Sequence, residues 1–172
     1  MALVSTVGAS TSNSYVSRLE ADAYFQLGMH PNALKWHDQK YEAKDAYLIQ
    51  ATRMIDACPI NGSKYDTNLT SGVPDQSLKF PRAQDYDDSA EYIPSDIKTA
   101  TYEQAIWLVS MGSSDTREQL QMQGVTSASI GDVSETYSGA LSSADPVHRL
   151  CPTAKAILKN GGFLSRAGGL SS

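Results

Sequence analysis

The chain has 172 residues, 41% of them hydrophobic and 19% charged, which suits one domain with a real core and excludes a fully disordered polymer. No run approaches the roughly 20 apolar residues that span a bilayer, and no basic-then-apolar leader opens the chain, so no membrane partner and no secretory signal are expected. The formal charge of −5 is unevenly spread: residues 1–80 hold 7 Lys+Arg against 8 Asp+Glu, residues 81–138 hold 3 against 10, and residues 139–172 hold 4 against 1. That distribution argues against a nucleic-acid surface covering the whole protein. It lets the acidic middle and the basic tail attract one another, within a chain or between neighbours.

Residues 1–13 are small and polar and are expected to form a flexible arm. Ser17 and Glu20 have capping-box spacing, so a helix is predicted just after Ser17, with Val16 as its hydrophobic staple. Leu19, Ala23 and Leu27 form its predicted apolar face, beside Tyr24. Gly28 and the His30-Pro31 step end it. A longer helix is predicted from about Lys40 to Ala57, with Trp36 near its entrance. Its stripe is Tyr47, Ala51, Met54, Ile55 and Cys58, and Lys44 lies off that stripe. Pro59 and Gly62 stop it.

Residues 60–93 lose all periodicity, and a connection this long is often functional or interfacial. Within it, Leu78-Lys79-Phe80-Pro81-Arg82 is an apolar anchor bracketed by charge. Pro94 sits where a first helical residue is favoured, and the helix from there to Met111 is apolar over most of its girth, which predicts a central position. Asp115 and Glu118 open a short helix to about Gln123. Residues 124–137 change to a period of two around Gly131, predicting a β-hairpin. Pro152 opens a last helix to about Lys159, closed by Gly161-Gly162, and residues 161–172 are expected to form a second flexible arm. The expected fold is mainly α: a compact helical bundle over residues 14–160, with the irregular connection 60–93, the hairpin 124–137 and extended N- and C-terminal arms.

The motifs of chemistry are missing from the sequence. There is no Gly-x-x-x-x-Gly-Lys loop, no Gly-x-Gly-x-x-Gly and no Gly-x-Ser-x-Gly elbow. His30, His37 and His148 lack metal-pair spacing, and Cys58 and Cys151 form no Cys-x-x-Cys motif. The acidic run Asp85, Asp87, Asp88 and Glu91 lacks the central Gly and frame of a calcium loop. No cofactor, no metal and no enzymatic activity are expected. The nine tyrosines suit interfaces or core better than base stacking, because stacking platforms usually come with a basic groove.

The order of these elements resembles a known family. Ser14-Tyr15-Val16-Ser17 followed by Glu20-Ala21-Asp22-Ala23-Tyr24-Phe25 is similar to the opening of head-tail connector (adaptor, head completion) proteins of tailed bacteriophages. So are Trp36 with residues 44–56, then Leu78-Lys79-Phe80-Pro81-Arg82, Ile93-Pro94, and Gly131-Asp132-Val133-Ser134-Glu135-Thr136-Tyr137. The likeness covers roughly residues 14–137. It departs at Phe80, where the family usually has Trp, and at Ala83, where Gly often stands. Related sequences also carry the label DnaT-like single-stranded-DNA-binding, which supplies the alternative function.

The resemblance implies a structural virion protein at the neck, assembled from the host cytoplasm as a ring, commonly of twelve copies. The ring would sit beneath the portal protein, dock a tail or tail-completion protein, and pass DNA through its lumen without specific binding. On that basis Phe80, Pro81 and Arg82 should anchor the long connection against the bundle or a neighbour. Val125, Val133 and Tyr137 of the hairpin should touch an adjacent copy or the tail. Arg149, Lys155, Lys159 and Arg166 should dock on the portal or on an acidic neighbour.

Overall fold

The computed structural model describes residues 2–27, 30–64, 76–82, 93–111, 127–130, 133–136 and 146–165. Its architecture is mainly helical. The α-helices are α1 (Arg18–Leu27), α2 (Ala33–His37), α3 (Tyr41–Ala57), α4 (Ser95–Met111) and α5 (Pro152–Asn160), with a 3₁₀ turn over Pro146–Arg149. The central element is α4, which packs on α2, α3 and α5.

Helix α1 begins with the expected capping box: Glu20 Oε2 accepts from Ser17 N and Oγ at 2.8 Å each, and Glu20 N donates back to Ser17 Oγ at 3.2 Å. Its buried face differs from the expected one. Ala21 and Phe25 are buried, whereas Leu19 is 78% exposed and Ala23 is exposed. A ten-residue helix offers only two or three positions per face. The large Phe25 ring, packed on Trp36 with ring centroids 5.0 Å apart, decides which face turns inward. Trp36 itself lies within α2, a short helix not expected from the sequence.

Helix α3 runs as predicted, but its inner face is set by Leu48, Ile49, Ala51, Thr52 and Ile55, and it includes a buried Lys44. Helix α4 is buried on nearly every side, including Thr101, Glu103 and Gln104. Its polar groups are absorbed internally: Thr101 Oγ1 donates to Ile97 O at 2.8 Å, and Gln104 Oε1 accepts from Cys151 N at 2.8 Å. Helix α5 is capped by Cys151, whose Sγ accepts from Ala154 N at 3.3 Å, with Pro152 behind it in the first turn.

The two ends of the chain fold onto the same region. In residues 2–14, Asn13 N donates to Val4 O at 2.9 Å, and Asn13 Oδ1 accepts from Val4 N at 2.8 Å. Beyond α5, Gly162 takes φ +72, a left-handed conformation that turns the chain back. Residues 163–165 then lie antiparallel to 59–61: Asn61 N donates to Phe163 O and Ser165 N to Pro59 O, both at 2.8 Å. Asn61 Nδ2 adds bonds to Gly162 O (2.8 Å) and Leu164 O (3.2 Å).

The short helix expected over residues 115–123 lies outside the described residues, as do residues 124–126, 131–132 and 137 of the expected hairpin. Within 124–137, Ser127–Ile130 and Val133–Thr136 pair antiparallel.

A Cβ at position 161 would lie 2.4 Å from Phe163 Cε2, a ring already held against Phe80. Gly161→Ala should therefore lower stability by about 1–3 kcal/mol in denaturant titration, with the helical circular dichroism of the folded state unchanged.

Candidate functional site

The segment Gln76–Arg82 is held from three directions. The Phe80 ring is buried between Tyr15 and Phe163, edge-on to both, at centroid distances of 5.7 and 5.8 Å. The peptide bond leading to the buried Pro81 is cis. Asp56, near the end of α3, accepts from Lys79 N at 2.7 Å and also from the Tyr15 hydroxyl. Burial, with the Asp56 charge and hydrogen bond behind it, pushes the Tyr15 phenol well above its usual range, so it remains a neutral donor. Lys79 Nζ caps α3 by donating to Cys58 O at 2.6 Å. Ser77 reaches the N-terminal loop, donating to Ala9 O and Ser12 O.

Arg82 is buried. Its guanidinium donates to the carbonyls of Lys79 (3.3 Å), Ile60 (3.4 Å) and Gly62, and stands 5.7 Å from the Phe80 ring centroid. Phe80, Pro81 and Arg82 thus fasten the connection to the bundle of their own chain.

A second polar knot joins α1, α2 and α3. Asp22 Oδ1 accepts from Trp36 Nε1 and from Lys44 Nζ, both at 2.8 Å. The Lys44 side chain is 5% exposed, so Asp22 is its counter-charge in a poorly solvated place. Burial alone would raise the Asp22 carboxyl; the bonds from Lys44 and Trp36 outweigh it and hold it below the ordinary carboxylate range. The same balance lowers Glu20, where burial is opposed by Lys98 and the Ser17 cap.

A third cluster centres on Glu103 of α4, which accepts from the Tyr24 hydroxyl at 2.7 Å and lies 3.4 Å from His30 Nε2. Tyr24 stacks on Tyr102 with centroids 4.5 Å apart. Burial raises both phenols, reinforced by Glu103 at Tyr24 and by Glu20 at Tyr102.

Among the described residues no group of three or more His, Cys, Asp or Glu side chains could hold a metal ion. Burial pushes the Cys151 thiol up, which suits its role as a neutral helix cap. Tyr15, Tyr24, Phe25, Trp36, Phe80 and Tyr102 all face the interior or half-bury against it. Tyr41 is the large exposed aromatic of this set, at 65% exposure, and the Arg18 guanidinium covers its ring at 4.8 Å.

Of the remaining expected interface residues, Arg149 and Lys159 are exposed and Lys155 is half-buried, all on the surface of the C-terminal element. Val125, Tyr137 and Arg166 lie outside the described residues, and Val133 is described only as part of a paired strand. The acidic run 85–91 also lies outside them. The Asp22–Trp36–Lys44 knot had no sequence signal, since only the fold brings these residues of α1, α2 and α3 together.

A family model now places this arrangement. The chain belongs to the family described as "Putative DnaT-like ssDNA binding protein", whose model matches residues 1–169. No curated protein and no solved structure gives a significant match. The span matched by the DnaT-like family includes every helix and all three polar clusters, so the fastening of 76–82 falls within the family's unit. No helix among the described residues is long and apolar enough to cross a membrane.

Asp22→Asn should cost about 2–4 kcal/mol, because it leaves the Lys44 ammonium without its counter-charge. Asp22 and Glu20 are both lowered in the folded state, so the stability they supply is present above the ordinary carboxylate range and is lost as pH falls through their lowered values. Denaturant titrations from pH 7 to pH 3 should show a shallower acid limb for Asp22→Asn/Glu20→Gln than for wild type. An unchanged limb would refute the assignment.

Proposed function

We propose that this chain is a structural subunit of a tailed-bacteriophage head-tail connector, a ring component beneath the portal that continues the DNA channel and presents a surface to the tail. The observation that carries this reading is how the aromatic side chains are used. Among the described residues nine of them pack in or against the core, and the exposed Tyr41 lies under a guanidinium. A protein that grips single strands needs bases stacked on open rings beside a basic groove. The described surface supports a body that works through shape and edges instead. The sequence segments between residues 14 and 137, taken in chain order, Leu78 to Arg82 among them, supply the likeness to connectors.

Binding of single-stranded DNA is the second reading, and the family description favours it over the connector. The lysines of α5, without an ion-pair partner among the described residues, would serve it as phosphate contacts. Neither reading requires a reactive centre, and we propose no catalytic role.

Two measurements separate them. A fluorescent ~30-mer titrated with protein at about 50 mM salt should show no tight binding, and particles lacking this protein should regain tails when it is supplied. Sub-micromolar affinity falling steeply with salt, together with no incorporation into particles, would replace the connector reading with DNA binding.

A further inference from the structure

Two surface features have complementary chemistry and cannot meet within one copy. The first is an open groove of about 860 Å³ along the outer side of α3, lined by Glu42, Asp45, Tyr47, Ile49, Arg53 and Leu108 among others. It is acidic at the Glu42 end and basic at the Arg53 end. Glu42 is exposed and makes no ion pair or hydrogen bond among the described residues, whereas Asp45 is held by Arg18 at 3.0 Å.

The second feature is the outer face of α5. Ala154 and Leu158 are buried beneath it, which leaves Lys155 and Lys159 one turn apart with Ala156 exposed between them. Neither lysine has an ion-pair partner among the described residues, and residues 146–165 contain no Asp or Glu.

We propose that α5 of one copy docks into the α3 groove of a second copy, with Lys155 and Lys159 beside Glu42 and Asp45 and Ala156 against Tyr47 and Ile49. The spacings agree: Lys155 and Lys159 stand about 6 Å apart along α5, and Glu42 and Asp45 about 4.5 Å apart along α3. In its own chain α5 is fixed on α4 by Ala154 and Leu158, so it cannot turn to reach the groove.

The occupant is therefore another copy, and the contact joins two different faces. Such a heterologous contact generates a ring when the rotation closes. The proposal rests on the connector reading for its purpose, though not for its geometry. The charge pairs would fix register and encounter rate more than affinity, with the wider interface supplying the rest.

The test uses full-length chains carrying Lys155→Glu/Lys159→Glu or Glu42→Lys, all at positions outside the polar clusters that hold the fold. Wild type should self-associate in sedimentation velocity at about 50 mM salt, and each variant alone should associate on the order of tenfold more weakly. An equimolar mixture of the two variants should regain association, because each heterotypic contact again opposes unlike charges.

Wild type that stays single-copy, variants that associate like wild type, or a mixture no better than either variant alone would overturn the proposal. So would loss of DNA binding as the sole effect of the lysine changes. Incorporation of wild type into particles is scored separately. Association through these faces without incorporation would sink the connector reading and leave the contact standing. Incorporation with charge-insensitive association would do the reverse.

Discussion

The burial of one ring, Phe80, joins parts of the chain that the helices alone would leave apart. Tyr15 comes from the N-terminal side of α1 and Phe163 from beyond α5, and both pack edge-on against it. The surrounding hydrogen bonds are consistent with this arrangement. Asp56 accepts from Tyr15 and from Lys79, Lys79 closes the end of α3, and Arg82 gathers the carbonyls of Lys79, Ile60 and Gly62. An apolar ring can be buried here because nearly every polar group its neighbours bring with them finds an internal partner. Both ends of the chain and the irregular connection are thereby referred to one place on the bundle.

Helix α4 provides the second organising constraint. A helix buried on almost all sides must satisfy its polar side chains within the protein, and it does so by reaching different elements. Glu103 goes to Tyr24 and His30, while Gln104 goes to Cys151. These bonds tie α1 and the start of α5 to the centre. On the outer sides of α3 and α5, Glu42 and the lysines Lys155 and Lys159 are not drawn into these bonds. Most polar groups of the interior find internal partners, while the outside carries Glu42 and the α5 lysines on separate elements.

The Asp22–Trp36–Lys44 knot shows how far a local pattern can mislead. By helical spacing, Lys44 belongs to the solvent side of α3. In the fold it is one of the most buried charges, because the Trp36 ring of α2 lies beside it and Asp22 arrives from α1. Leu19 is the converse case: apolar and in phase with a plausible stripe, yet 78% exposed, because Phe25 committed the helix to a different face. A hydrophobic pattern states which residues can be inside. It does not state which of two adjacent faces will find a partner.

The positions and ends of the longer helices were legible from local chemistry. Ser17 and Glu20 cap α1, Pro59 ends α3, and Pro152 opens α5, each through bonds or steric limits that act within a few residues. The anchor Leu78-Lys79-Phe80-Pro81-Arg82 was also legible, as an apolar segment set in a polar one. The sequence by itself therefore determined a helical protein with one anchored connection. Tertiary structure alone decided which side of each helix is inside, that α2 forms around Trp36, that residues 163–165 return beside 59–61, and that the lysines of α5 and the groove on α3 face outward from different sides. Those outcomes depend on which distant segments meet. Contacts between residues dozens of positions apart leave no period or motif in the chain, because their energy comes from burial that exists only once the whole core has closed.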